Sequence, residues 1–252
     1  MRTAAVVVSH RNRDDLERLL PVLAPQVDEL VVVANVADSV GAVPESAVLL
    51  ENERPRGFGA NVNRGVAHTT AELVCTVNPD AVPRPDAVAV LRSFLESCPR
   101  AGVAGPRMLY PDGTVQPSRR RFPTVAGTLV RRTPVRLLFD PYRLQQRHYH
   151  LGDVPSEPVE ADWMLGGFLM LRRAMLDELG GFDEGFFLYG EDIDLCYRAA
   201  RAGWDRWYVP AAVVEHEHQA VTDRRFLTRR TLWHWRGILR FVRKHPERLR
   251  TL

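Results

Sequence analysis

The feature that most constrains this chain is a series of short, unbroken runs of β-branched and apolar residues, separated by helical patterns. Ala4-Ala5-Val6-Val7-Val8, Leu30-Val31-Val32-Val33, Val48-Leu49-Leu50 and Leu73-Val74-Cys75-Thr76-Val77 are four such runs. A strand buried on both faces is apolar at every position, so each run reads as an interior strand. Leu16, Leu19, Leu20 and Leu23 follow Asp14 and Asp15 at helical spacing, and Val88, Val90, Leu91, Phe94 and Leu95 follow Pro85 and Asp86. Gly57 to Asn63 reads as a glycine and asparagine loop, with a helix after it through Ala71. Strands alternating with helices predict an α/β, Rossmann-like single domain with a mostly parallel central sheet flanked by helices. Such sheets bind ligands at the carboxyl ends of their strands, which puts the functional loops after Val8, Val33 and Val77.

Composition narrows the function classes. With 45% apolar and 26% charged residues and a net charge of only +3, the 252-residue chain is neither disordered nor a polycation. Its positive charge is nearly all arginine, Lys244 being the only lysine. Guanidinium groups suit phosphate recognition because they donate two parallel hydrogen bonds. The small net charge and the lack of a helix-turn-helix, finger or RNP pattern argue against nucleic acid as a partner. Cys75, Cys98 and Cys196 are odd in number and lack CxxC spacing, which fits a reducing compartment. Met1 to Ser9 is too short for a signal peptide, and no run approaches the roughly 18 apolar residues of a membrane span. The expected location is the cytoplasm, with room for peripheral contact at the inner face of the membrane.

Three segments carry candidate chemistry. Asn78-Pro79-Asp80 ends the fourth strand, where a carboxylate can hold a divalent cation between phosphates. The same residues also suit a plain turn. From Gly180-Gly181-Phe182-Asp183-Glu184 to Tyr189-Gly190-Glu191-Asp192-Ile193-Asp194, acids crowd beside aromatics, and a helical pattern follows through Leu195, Cys196 and Ala199. Acids favour a first helical turn, but aromatics can also wall a sugar pocket in which a carboxylate removes a proton. Glu215-His216-Glu217-His218 suggests metal or phosphate binding, or a solvated strand end. Elsewhere, Tyr110 to Thr114 predicts a hairpin, residues 117 to 150 a long excursion, and Trp163 to Leu171 a strand after a kink at Gly166-Gly167. Asp223 to Lys244 predicts a basic helix with Leu227, Leu232, Trp235, Ile238, Leu239 and Val242 as its apolar residues.

Taken together, these segments resemble the family-2 glycosyltransferases with the GT-A fold, and within them the bacterial rhamnosyltransferases of cell-wall and surface-polysaccharide assembly. The resemblance runs from Val6 to about Thr222. It is most specific at Gly180 to Glu184 and Glu191 to Leu195, with Arg198 and Gly203 following. Asn78-Pro79-Asp80 resembles a variant Asp-x-Asp element, and Gly57-Phe58-Gly59 with Asn63 and Gly65 resembles the glycine loop beside the nucleotide. Residues 1–222 would form the transferase domain, with 1–100 its nucleotide-binding half and 101–222 its acceptor and catalytic half. Residues 223–252 would be a basic helical extension.

The resemblance implies roles. Asp192 would be the general base, with Glu191 beside it. Ser9, Arg11, Asn35, Gly57, Asn63, Asn78 and Asp80 would bind the nucleoside-diphosphate sugar, dTDP-rhamnose being the first choice. Trp163, Gly166, Gly167 and Asp194 would bind the acceptor, a glycan or a polyprenyl-diphosphate-linked sugar. Asp80 and His216 would hold Mg²⁺ or Mn²⁺. The chain departs from the family at Ala34, where an aspartate is usual, at Pro55, and at Ser9-His10-Arg11. These departures lie on the nucleotide side and keep open a sugar-nucleotide-binding protein with altered catalysis. A homo-oligomer is compatible with the sequence.

Overall fold

The computed structural model describes residues 1–123, 150, 152–217 and 229–250. The four sequence runs become strands β1 (Thr3–Ser9), β2 (Glu29–Ala34), β3 (Ala47–Glu51) and β4 (Leu73–Val77). They lie side by side and parallel in the order β3-β2-β1-β4. Short β5 (Ala81–Pro83) follows, then β6 (Ala101–Leu109) and β7 (Arg119–Arg120). Next come β8 (Val159–Glu160), β9 (Trp163–Met164), β10 (Phe168–Arg172) and β11 (Asp205–His216). The main sheet continues β4-β10-β6-β11-β5, with β8 also on β11, while β7 and β9 form a separate pair. Strand β10 runs antiparallel to both neighbours, β4 and β6. This reversal is invisible in an apolar pattern, because a doubly buried strand reads the same in either direction.

Side chains alternate along β1 and divide the core in two. Ala5 and Val7 face one cluster with Leu16, Leu19, Leu91 and Leu95, whereas Val6 and Val8 face another with Val62, Leu176 and Leu195. The first cluster is covered by α1 (Arg13–Leu23) and α3 (Ala87–Ser97), the second by α2 (Phe58–Val66), α4 (Arg173–Leu179) and α5 (Glu191–Arg201). The expected Gly57–Asn63 loop is a helix instead: α2 starts at Phe58 and ends at Val66, short of Ala71. Its glycines serve contact rather than looseness, since a Cβ on Gly65 would lie 2.3 Å from Val6 Cγ1. The predicted strand from Trp163 to Leu171 is two strands, β9 and β10, broken at Gly166-Gly167.

The C-terminal helix α6 is described over Arg229–Lys244. Its expected start at Asp223, with Leu227 and the boundary near residue 222, lies outside the described residues, as do most of the excursion and His218. The helix docks through a face the sequence did not indicate. Trp233 stacks on Phe187, His234 on Tyr189, and Phe241 joins Phe186 and Tyr197 in a third small core. Leu232 and Leu239 are left exposed.

Candidate active site

The carboxyl ends of β1, β2 and β4 lie together, with Val8 level with Val33 and Val7 with Val77. The antiparallel β10 brings its first residue, Phe168, opposite Val77 at the same edge. The end of β11 arrives there too, with Glu215 beside Leu109 of β6. The sheet therefore delivers Asp80, Gly166-Gly167 and His216 to one place, although they are far apart in sequence.

Asp80 and His216 meet with Nε2 3.4 Å from Oδ1. His216 is buried, and its Nδ1 lies 2.8 Å from the side-chain oxygen of buried Gln116. With Nδ1–H donating to that oxygen, Nε2 is left with its lone pair on the side of Asp80, where it could accept a proton or a cation. Gln116, on the far side of the hairpin, was not singled out by sequence reasoning, which had no signal for it.

The two glycines separate this pair from the acidic turn. A Cβ on Gly167 would lie 3.0 Å from His216 Cε1, and one on Gly166 would lie 3.3 Å from Asp192 Cβ. Gly167 also accepts a hydrogen bond from Asn78 N–H at 2.8 Å. Adjacent glycines thus approach the two groups, Gly166 Asp192 and Gly167 the His216 of the Asp80–His216 pair. Side chains at 166 or 167 would fill the space between them.

Asp192 and Glu191 open α5. The turn before them is set by backbone conformation: Tyr189 and Gly190 both have positive φ, 69° and 97°. Asp192 accepts from Ile193 N–H at 2.8 Å and Gly166 N–H at 3.2 Å. Burial raises its pKa above the usual carboxylate range, and those N–H groups and the charge of Arg120 offset this only in part. Glu191 is raised too, first by burial and then by the charge of Asp192. Its Oε2 is buried, with no hydrogen-bond partner among the described residues. A pair of carboxyls pushed upward in a cleft is a signature of acid–base chemistry.

The expected donor-side residues divide. Arg11 is exposed with a left-handed backbone at the end of β1, and Asn78 and Asp80 are half-buried at the end of β4. Ser9 does not face the cleft: it is buried and donates to the Ser39 carbonyl at 2.6 Å. Asn35 is also buried. Its amide donates to Arg56 O and accepts from Arg56 N–H and Asn52. Asn52 in turn donates to Asn61 at 2.6 Å. This asparagine network ties β2 to α2 and was legible only at Asn35. Asn63 and Gly57 were expected at the nucleotide, but both hold the acidic segment. Asn63 brackets the main chain of Phe182, accepting from its N–H at 2.8 Å and donating to its carbonyl at 2.9 Å. A Cβ on Gly57 would lie 2.7 Å from the Phe186 carbonyl.

Two expected acceptor contacts are likewise supports. Trp163 is buried, donates from Nε1 to the Arg121 carbonyl at 2.8 Å, and lies 5.1 Å beneath the Arg120 guanidinium. One face of its ring holds the Arg120 guanidinium. Asp194 is fully buried and bound by Arg198 at 2.7 Å, Lys244 at 2.9 Å and His245 at 2.8 Å. It fastens α5 to the C-terminal helix, because a buried carboxylate persists only where cations and donors surround it.

Comparison with known proteins identifies the family and the fold. Over 248 residues the chain is 33% identical to the N-acetylglucosaminyl-diphospho-decaprenol L-rhamnosyltransferase of Mycobacterium tuberculosis, covering 87% of this chain and 77% of that protein. It is 27% identical to the rhamnosyltransferase WbbL of Escherichia coli over 74% of this chain and 70% of the relative. Among solved structures it shares its fold with GalNAc-T7 in complex with UDP, GalNAc and Mn²⁺, at a TM-score of 0.61 and 16% identity, covering 85% of this chain and 43% of that one. It also matches Staphylococcus aureus TarS 1–349 in complex with UDP-GlcNAc, at a TM-score of 0.58 and 14% identity, covering 90% of this chain and 62% of that one. The fold is therefore GT-A. Among the described residues no helix is long and apolar enough to cross a membrane. The sequence profile described as "Glycosyltransferase like family 2" matches residues 20–234, and this chain belongs to that family.

Proposed function

We propose that the chain is an inverting hexosyltransferase that moves rhamnose from a nucleoside-diphosphate sugar, dTDP-rhamnose, to a hydroxyl of a lipid-linked glycan. The observation that carries the reading is the arrangement about Gly166-Gly167, with a cation-type pair, Asp80 and His216, on one side and a carboxylate, Asp192, on the other. That is the layout a single displacement needs, with leaving group and attacking hydroxyl on opposite sides of the reacting carbon.

In this reading Asp192 takes the proton of the acceptor hydroxyl as its oxygen bonds to the anomeric carbon, and the nucleoside diphosphate departs. A raised pKa makes Asp192 a stronger base than an exposed aspartate. The Gly166 and Ile193 N–H groups fix both carboxylate oxygens and so aim it. Asp80 and His216 supply one carboxylate and one imidazole, a donor set that suits Mn²⁺ better than Mg²⁺. Among the described residues no group of three His, Cys, Asp or Glu stands ready as a metal site, so a bound nucleotide would complete the coordination. A divalent cation held there supplies positive charge against the departing diphosphate. The rhamnosyl donor and the polyprenyl-diphosphate acceptor are inferred from the relatives' names, and such an acceptor would require contact with the inner membrane surface.

The deciding experiment incubates the protein with Mn²⁺, decaprenyl-diphospho-N-acetylglucosamine and, in turn, dTDP-rhamnose, UDP-sugars and GDP-sugars. A rhamnosylated product formed only from dTDP-rhamnose, with inverted anomeric configuration, supports the reading. Donor binding without product from any acceptor would instead mark a sugar-nucleotide-binding protein.

A further inference from the structure

Helix α6 has two faces that do different work. The inner face is fully engaged. Trp233 stacks on Phe187, His234 stacks on Tyr189 and Phe241 meets Tyr197 edge-on, a Cβ on Gly237 would lie 2.3 Å from Tyr189 O, and Arg240 and Lys244 pair with Asp183 at 2.6 and 2.7 Å. The outer face is the unusual one. Leu232 and Leu239, seven residues and two turns apart, are 56% and 58% exposed. Arg236 and Arg243 are exposed between and beyond them at helical spacing. The helix from Arg229 to Lys244 contains no acid. At its flank Phe187, exposed itself, stacks on Trp233 at 4.4 Å, and Arg236 caps the same indole at 5.2 Å.

Single exposed leucines are ordinary on protein surfaces. Two leucines in register, interleaved with arginines and free of any acid, form a pattern that water does not reward. That composition fits a boundary where hydrocarbon and phosphate meet. Leucines enter the acyl region, arginine stems lie along it, and guanidinium groups reach up to anionic headgroups. A second copy of the chain would meet Arg236 and Arg243 with the same positive charge, so like-charge repulsion opposes a symmetric dimer here.

We propose that the outer face of α6, carrying Leu232, Arg236, Leu239 and Arg243, docks on an anionic lipid bilayer. Its inner face grips Tyr189, two residues before Glu191, so docking would hold the opening of α5 at a fixed distance from the membrane. The purpose of the surface rests on the lipid-linked acceptor proposed above, but its existence can be tested with neither donor nor acceptor present.

The test is co-sedimentation of the full chain with vesicles of phosphatidylcholine alone or mixed with phosphatidylglycerol. Partitioning onto the mixed vesicles should be at least tenfold stronger and should weaken with salt. The Leu232→Ser/Leu239→Ser pair should lose about tenfold in partitioning, and Arg236→Gln/Arg243→Gln should lose most of the salt dependence. All four positions are exposed, so thermal midpoints should match the wild type and confirm folding. Hydrogen exchange over residues 232–244 of the wild type should slow when mixed vesicles are added. Equal sedimentation of the wild type and both variants would overturn the proposal. So would a wild type that ignores the vesicles but forms a dimer that the leucine variant does not. A protein that binds vesicles yet transfers no sugar would sink only the transferase reading.

Discussion

Gly237 of α6 and Tyr189 of the acidic turn meet main chain to main chain, with a Cβ on Gly237 falling 2.3 Å from the Tyr189 carbonyl oxygen. Tyr189 already holds a left-handed conformation at φ 69°, so it cannot yield cheaply. Gly237→Ala should therefore cost about 1–3 kcal/mol of stability through overpacking. Because Tyr189 leads directly into Glu191 and Asp192, kcat should also fall while the donor KM stays within twofold. Denaturant melts and steady-state kinetics would check this, and an unchanged melting curve would show that the helix relaxes instead.

The Asp80–His216 pair makes a second prediction. Asp80→Ala should reduce transfer by at least 100-fold and remove the response to Mn²⁺. Gln116→Leu leaves the ligands in place but takes away the oxygen bound to His216 Nδ1, so the half-saturating Mn²⁺ concentration should rise roughly 10- to 100-fold. A metal titration of activity distinguishes the two.

The base assignment is tested by pH. Asp192 is raised above the ordinary carboxylate range, first by burial, and only its ionised form accepts a proton. Activity should be low in acid and rise with pH through that raised value. Asp192→Asn should abolish transfer and leave donor affinity nearly unchanged, as isothermal titration with the nucleotide would show.

Glu191 predicts a cost in stability. Its folded-state pKa lies above its ordinary value near 4.5, so the folded protein holds more protons than the unfolded chain between the two values. Stability from this group is full below the unfolded value and is lost as pH rises toward the folded one. Glu191→Gln removes the penalty. The variant should gain on the wild type in thermal midpoint as pH is raised from 5 to 9, even as activity drops. A difference that stays constant across that range would contradict the burial argument.

Asp194 should prove structural. Asp194→Ala strands Arg198, Lys244 and His245 around an empty buried position and should cost about 3–5 kcal/mol. Limited proteolysis should then cut within Arg229–Lys244 before the core is attacked.

The sequence by itself determined the sheet and its ligand edge. The runs at Ala4, Leu30 and Leu73 are buried interior strands, as their unbroken apolar pattern demands, and the rule that ligands bind at strand carboxyl ends points to Asn78-Pro79-Asp80. The run at Val48 reads the same way but forms the edge strand, with Val48 and Leu49 exposed, because an apolar run does not record whether a further strand lies beside it. The sequence also marked the acidic, aromatic segment from Asp183 to Asp194 as a candidate, although the pattern alone left helix capping open and only the family resemblance singled out Asp192 within it. Only the tertiary structure decided which of the marked residues reach the cleft. Ser9, Asn35, Gly57, Asn63, Trp163 and Asp194 each make hydrogen bonds or close contacts to distant segments, a structural role that the sequence pattern did not reveal. The direction of β10, the bond from Gln116 to His216, and the face on which α6 docks depend on what lies opposite each residue. Periodicity records whether a position is apolar; it does not record its neighbour. For α6 that difference is decisive: Leu232 and Leu239, among the apolar residues of its pattern, are exposed, because an aromatic face with a glycine gap packs against Tyr189 instead.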